Sequence, residues 1–173
     1  MASWTTFAAG GAEVLHVQAH GERGRWQPFQ RGAEALATAG QRLLAHPPAG
    51  IALLATVSRT GAPRLHPFMP RIVEGALVAF IVGDSPKLRD LLAGRPCAIH
   101  SAPTIEDEEF WVRAFASALT DPARVAAASS AMPWAKPEFE VLVEFDLFEV
   151  GWTQWLDFGT PRHRPVHHRW RQR

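Results

Sequence analysis

Two apolar runs, IALLATV (51–57) and ALVAFIVG (76–83), lie so close together in the chain that only tight turns can join what lies between them. Each is continuous rather than alternating, and the first is rich in branched side chains, as in strands covered on both faces. SRTGAP (58–63) reads as a turn in which Gly61 is free to take positive φ. RLHPFMPRIV (64–73) then alternates loosely, and Glu74-Gly75 turns the chain again. Connections this short exclude the crossovers that parallel strands need, so the region reads as an antiparallel meander.

The rest of the chain adds single helices to that pattern. In GAEALATAGQRLLAH (32–46), Leu36, Ala39, Leu43 and Leu44 share one helical face, and Pro47-Pro48 stops the helix. SPKLRDLLAG (85–94) is a short helix with Ser85 as N-cap, Pro86 in the first helical position and Gly94 closing it. PCAIHSA (96–102) and the cleanly alternating EFWVRAFASAL (109–119) are strands, with an acidic, solvated loop before the second. Asp121-Pro122 opens another helix to about Ala131, and FEVLVEFDLFEVGWTQW (139–155) is a long last strand. This order predicts an α+β, mainly β fold: an antiparallel barrel with short external helices. A single domain over 1–173 is expected, with 1–49 an N-terminal extension and helix, 50–160 the barrel and 161–173 a basic tail. The Gly-rich stretch 1–31 carries no clear pattern.

Composition narrows the function classes. A net charge of +1 is not that of a polycation that coats nucleic acid, so no nucleic-acid partner is expected. Cys97 is the one cysteine, which excludes an intrachain disulfide and fits a reducing compartment. The start MASWTTFAAGGAEVLHV lacks the basic-then-apolar pattern of a signal peptide, and the apolar runs are too short to span a bilayer. The expectation is a cytoplasmic protein with no membrane partner.

Two places depart from plain structural logic. Pro63, Pro67 and Pro70 sit inside an apparent strand, which must therefore be an edge or an interrupted one. Such an edge leaves backbone groups for a ligand or a second subunit, or the prolines simply guard it against aggregation. In DSPK, Lys87 occupies the second helical position with Arg89 nearby, where an acidic residue is favoured. A bound phosphate would reverse that penalty; otherwise Asp84 and Asp90 offset a solvated lysine.

Elsewhere the signals for chemistry are weaker. The tail holds five arginines and His163, His167 and His168, a spacing that matches no tight metal motif, so no metal is expected. It reads best as a surface segment that crosses a dimer with Trp170 as an anchor. His66 and His100 read first as structural residues and second as proton donors. There is no nucleophile–base pair and no P-loop, so the catalytic residues stay unknown and a cofactor must carry any chemistry.

PRLHPFMPRIVEGALVAFIVGDSPKLRDL, followed by HS (100–101), EFWVRAFASALTDP (109–122) and a late LFE…W…W ending, resembles the pyridoxamine 5'-phosphate oxidase-like, FMN-binding split-barrel family. The resemblance covers roughly residues 50–170. It implies that Lys87 and Ser85 contact the cofactor phosphate and that Arg64, Leu65, His66 and Pro67 line the flavin. Phe80 and Ile81 would lie against it; Trp155, near the last strand, either stacks on the flavin or closes the barrel. It also implies a homodimer with the cofactor at the interface. Pro86 stands where the oxidases proper have an arginine, Glu109 where they have a glutamine, and HHRWRQR replaces their substrate-binding terminus. These departures argue against vitamin B6 oxidation.

The reading that follows is an FMN-binding or deazaflavin-binding oxidoreductase that moves hydride or electrons to a small-molecule substrate. The alternative is a non-catalytic carrier of flavin or haem. Haem would draw on His66, His100, a tail histidine, Met69 or Cys97 as axial ligand.

Overall fold

The computed structural model describes residues 4–9, 12–18, 25–45, 50–104, 108–157 and 159–172. Strands β1 (Trp4–Ala9) and β2 (Ala12–Gln18) pair with each other as a separate two-stranded sheet, in the stretch where the sequence carries no clear pattern. Helices α1 (Trp26–Gly32) and α2 (Glu34–Leu44) follow. The helix expected at 32–46 thus begins at Glu34, because the chain turns at Ala33 (φ −156°, ψ 62°) between two helices rather than entering one.

The remaining strands form one eight-stranded antiparallel sheet. They are β3 (Ala52–Val57), β4 (Pro63–Phe68), β5 (Arg71–Val73), β6 (Ala76–Val82), β7 (Cys97–Ser101), β8 (Glu109–Ala118), β9 (Glu140–Leu156) and β10 (Arg164–Arg171). Helix α3 (Pro86–Leu92) links β6 to β7, and α4 (Pro122–Ala131) links β8 to β9. Both helices start as their sequences dictate. Ser85 and Asp121 cap the first turns by accepting from the amides of Leu88 and Arg124, each with proline just inside.

The strand order is β4-β3-β7-β8-β9-β6-β5, with β10 added on β9. The meander expected over 51–83 therefore breaks in its middle: β3–β4 and β5–β6 are hairpins, but β4 and β5 stand at opposite ends of the order. Only Met69 and Pro70 join them. Three peptide steps reach about 11 Å at most, so the sheet must curl until its two edges nearly meet. That is a barrel with a split between β4 and β5.

Inside lie Leu54 and Phe68, Leu77 and Ile81, Ile99, Phe110 and Val112, and Phe145 and Leu147. Phe68 meets Phe145 edge-on across the interior, with ring centroids 6.0 Å apart. Trp26 and Phe29 of α1, with Leu43 of α2, pack onto the same core. A second, smaller core lies under α4, where Ala76, Val78 and Leu142 meet Ala128 and Met132. Strand β6 separates the two cores, which is why its apolar run is continuous.

Long β9 changes face once. Arg113 pairs with Glu149 and Ala114 with Leu147, leaving Phe148 as an extra residue in a bulge. Phe145 and Leu147 face the core before the bulge, and Val150 faces it afterwards. The basic tail is a surface strand with Trp170 as its anchor. As β10 it pairs with β9 from Arg164↔Leu156 to Arg171↔Glu149, and Trp170 packs on Phe29 with centroids 5.1 Å apart. Among the described residues no helix is long and apolar enough to cross a membrane.

Candidate functional site

The split edge and the start of α3 face each other. In β4, which among the described residues pairs only with β3, the prolines cost no ladder bond on the open side. Alternation sends Leu65 and Pro67 outward, Leu65 being 65% exposed, while Phe68 is buried in the barrel.

On the inward side a buried carboxylate organises the cluster. Asp90 of α3 accepts from the Thr56 hydroxyl of β3 at 3.0 Å and from the Arg64 guanidinium at 3.2 Å, both at Oδ2. Its side chain is 7% exposed and that of Arg64 is 40% exposed. His66, two residues along from Arg64, is half-buried, and its Nε2 is sealed from solvent with no hydrogen-bond partner. Burial holds the His66 imidazole below the ordinary histidine range, and the charges of Lys87 and Arg64 push it further down against the opposing charge of Asp90. Lys87 has no ion-pair or hydrogen-bond partner among the described residues. Asp90 is thus committed to two donors, Thr56 and Arg64.

A cavity of about 180 Å³ opens beside Lys87, walled by Pro67, Phe68 and Met69 from the β4 side, Phe80 from β6, and Met132, Trp134 and Glu140 from the α4–β9 passage. Arg71 braces its outer wall. The guanidinium lies 4.7 Å from the centroid of the Trp134 ring and donates to the Pro70 carbonyl at 2.8 Å.

The structure brings Arg64, His66, Pro67, Phe80 and Lys87 to one place. It separates the others. Ile81 points into the barrel core at 1% exposure, on the opposite face of β6 from Phe80. Ser85 Oγ donates to the Val82 carbonyl at 2.7 Å and accepts from Leu88 N, so its proton is directed into the turn rather than toward a ligand. Trp155 lies at the far end of β9, paired with Pro165 and packed on His163, and does not reach the cavity of its own chain. The tail histidines part as well: His167 bonds Thr153 Oγ1 at 3.1 Å, and His168 stacks on Trp152 at 4.7 Å. His100 turns Nδ1 to the Ser101 carbonyl at 2.8 Å. Cys97 is buried and its thiol is pushed up to about 12, so it is inert.

Sequence reading missed Asp90 as the organising acid, and it missed the cavity wall from Met132, Trp134 and Glu140. The apolar Met132-Pro133-Trp134 step after α4 was the available signal for that wall.

No family model and no curated protein matches the chain. Solved structures do. A haem-binding protein from Mycobacterium smegmatis aligns at 19% identity and TM-score 0.54 over 73% of this chain, which spans only 55% of that protein. A pyridoxamine 5'-phosphate oxidase-related, FMN-binding protein from Nostoc punctiforme aligns at 15% identity and TM-score 0.54, covering 80% of this chain and 95% of the other. A NimC/NimA family protein from Clostridium acetobutylicum aligns at 15% identity and TM-score 0.56 over 87% of this chain and all of that one, at 100%. Identities this low speak to architecture, and the architecture agrees with the barrel closure described above. The chain has the pyridoxamine 5'-phosphate oxidase-like split-barrel fold.

Proposed function

We propose that this chain binds a flavin mononucleotide, FMN or a deazaflavin relative, at the β4 edge and uses it in an oxidoreductase reaction on a small substrate. The observation that carries the reading is the Lys87 side chain, without an ion-pair or hydrogen-bond partner among the described residues, on the wall of a cavity of about 180 Å³, with Arg64 held nearby on Asp90 of the same helix. A phosphomonoester brings close to two negative charges at neutral pH. It would pair with the Lys87 ammonium on the cavity wall. Arg64 would stay tethered to Asp90 and add its remaining donors.

A bound flavin supplies hydride and electron transfer, and the protein's part is placement. Phe80, Met69 and Trp134 would exclude water from the cavity, while the open backbone of β4 at Leu65 and Pro67 would meet the ring system. The cavity is smaller than the roughly 300–1,000 Å³ usual for ligand sites. A second copy seated on exposed Leu65 and Pro67 would enlarge it, which supports a homodimer with the cofactor between subunits.

A flavin or haem carrier without turnover is the second reading. What favours it is the fold shared with the haem-binding protein from Mycobacterium smegmatis, together with Met69 on the cavity wall.

Visible absorbance and fluorescence of the purified protein, before and after adding FMN, a deazaflavin and then haem, separate these readings. Stoichiometric FMN binding to a dimer on size exclusion supports the first. Haem binding alone supports the second, and failure of FMN, a deazaflavin and haem alike to bind sinks both.

A further inference from the structure

We propose that the open edge of β10 takes up an extended, acidic segment of a partner protein as an added strand, with its carboxylates opposite Arg169 and Arg171. The surface stands apart from the cofactor reading, since β10 lends no residue to the cavity at Lys87.

The ladder itself builds this edge. Among the described residues β10 pairs only with β9, in unbroken register from Arg164 to Arg171. One step past the Arg171↔Glu149 pair, the Gln172 amide donates to the Phe148 carbonyl at 3.0 Å, which fixes the phase of the ladder. Antiparallel bonding alternates, so the even-numbered residues of β10 turn their backbone groups to β9. Those of His167, Arg169 and Arg171 turn to the open edge instead. Pro165, in the same outward phase, has no amide proton to offer.

Charge decides what the edge accepts. The side chains of His167, Arg169 and Arg171 share one face of the sheet. Glu149, opposite Arg171, is already committed: Oε1 takes Arg171 Nε at 2.8 Å and Oε2 takes Arg113 Nη1 at 3.0 Å. Arg171, 68% exposed, keeps its two terminal nitrogens for another acceptor. Arg169 has no acid in ion-pair reach among the described residues and rests against the Trp111 ring, 5.7 Å from its centroid. Glu109 is on the same face but two strands away, across Thr153 from His167. On the other face Val166, His168 and Trp170 are half-buried, with Trp170 packed on Phe29. An added strand therefore sets every second side chain beside the arginines and the others beside an apolar row, which selects acids alternating with apolar residues. A second copy is the wrong occupant. Two β10 edges paired antiparallel would set arginine and histidine opposite arginine, and like charges directly opposite destabilise a pair.

The test uses the full chain and a capped peptide, matched to β10 in length, that alternates glutamate with valine. Backbone NMR follows binding, and hydrogen exchange reads the His167, Arg169 and Arg171 amides. The expected result is saturable binding that slows exchange at those amides about tenfold or more. Raising salt from about 50 to 300 mM should weaken binding about three- to tenfold. Arg169→Gln combined with Arg171→Gln should weaken it by about the same factor. Two further peptides keep every charge and leave the protein untouched. In an added strand the glutamates facing the arginines also turn their amides to β10, and the valines turn theirs away. N-methylation at the central glutamates should therefore weaken binding about tenfold or more, and at the central valines should leave it unchanged. Equal binding of the two methylated peptides would mean charge contact without a ladder and overturns the proposal. So does absence of peptide binding up to about 1 mM. Oligothymidylate that shifts these amides where the peptide does not would assign the face to a phosphate backbone, and overturns it as well.

Discussion

Arg64 of β4 donates to Asp90 of α3 at 3.2 Å, and this contact bolts the open edge of the barrel to the helix that follows β6. Because Asp90 is buried and also holds the Thr56 hydroxyl at 3.0 Å, it serves as a three-way joint between β3, β4 and α3. Asp90→Ala leaves a buried hydroxyl and a guanidinium without their acceptor. Loss of about 1–3 kcal/mol is expected, the desolvation cost of an orphaned buried polar group. Urea unfolding measures it; a midpoint equal to that of the wild type would mean that the joint holds nothing.

Lys87→Ala tests the phosphate assignment without touching the core. A hydrogen bond to a charged group is worth about 1.5–3 kcal/mol, so FMN should bind roughly ten- to a hundredfold more weakly. A fluorescence titration that returned wild-type affinity would remove Lys87 from the site and leave the barrel as it stands.

Acid should loosen the fold partly through His66. The folded imidazole titrates below the ordinary histidine value of about 6.5, so as pH falls the unfolded chain takes up its proton first. Stability from this residue is thus intact above about pH 6.5 and is lost as pH falls toward the lower folded value. His66→Gln should flatten that part of the wild-type profile. Parallel denaturation midpoints for the two proteins from about pH 7.5 down to 5 would contradict it.

Gly151 lies beneath the Trp111 indole, whose ring atoms occupy the space that a side chain would need. The ring is flanked by the guanidiniums of Arg113 and Arg169, each 5.7 Å from its centroid, and cannot swing aside without disturbing both. Gly151→Ala should destabilise by about 1–3 kcal/mol through overpacking. Thermal unfolding would expose the error if the variant melted with the wild type.

Much of this fold is local and therefore readable from the chain. The branched run at 51–57 is strand β3, alternation at 109–119 is β8, and Ser85-Pro86 and Asp121-Pro122 start α3 and α4 at those residues. Prolines at 63 and 67 marked β4 as an edge because a missing amide proton is a property of the residue itself. Patterns of period two and caps of three residues need no knowledge of distant partners.

What the tertiary structure decided depends on which distant segments meet. Separation of β4 from β5 across the split follows from the pairing of β3 with β7 and of β6 with β9, which no local pattern encodes. The bulge at Phe148 moves Val150 back to the core only because β8 supplies one residue against two. Phe80 and Ile81 are equivalent in the sequence, yet α4 covers one face of β6 and the barrel closes over the other. The tail becomes β10 because β9 runs on past its pairing with β6 and leaves an edge, on the side opposite β8, to fill. At the site, His66 reads as a lone histidine until α3 brings Lys87 and Asp90 against it. Its chemistry is set by charges brought in through folding, since electrostatic environment depends on distance in space and not on separation along the chain.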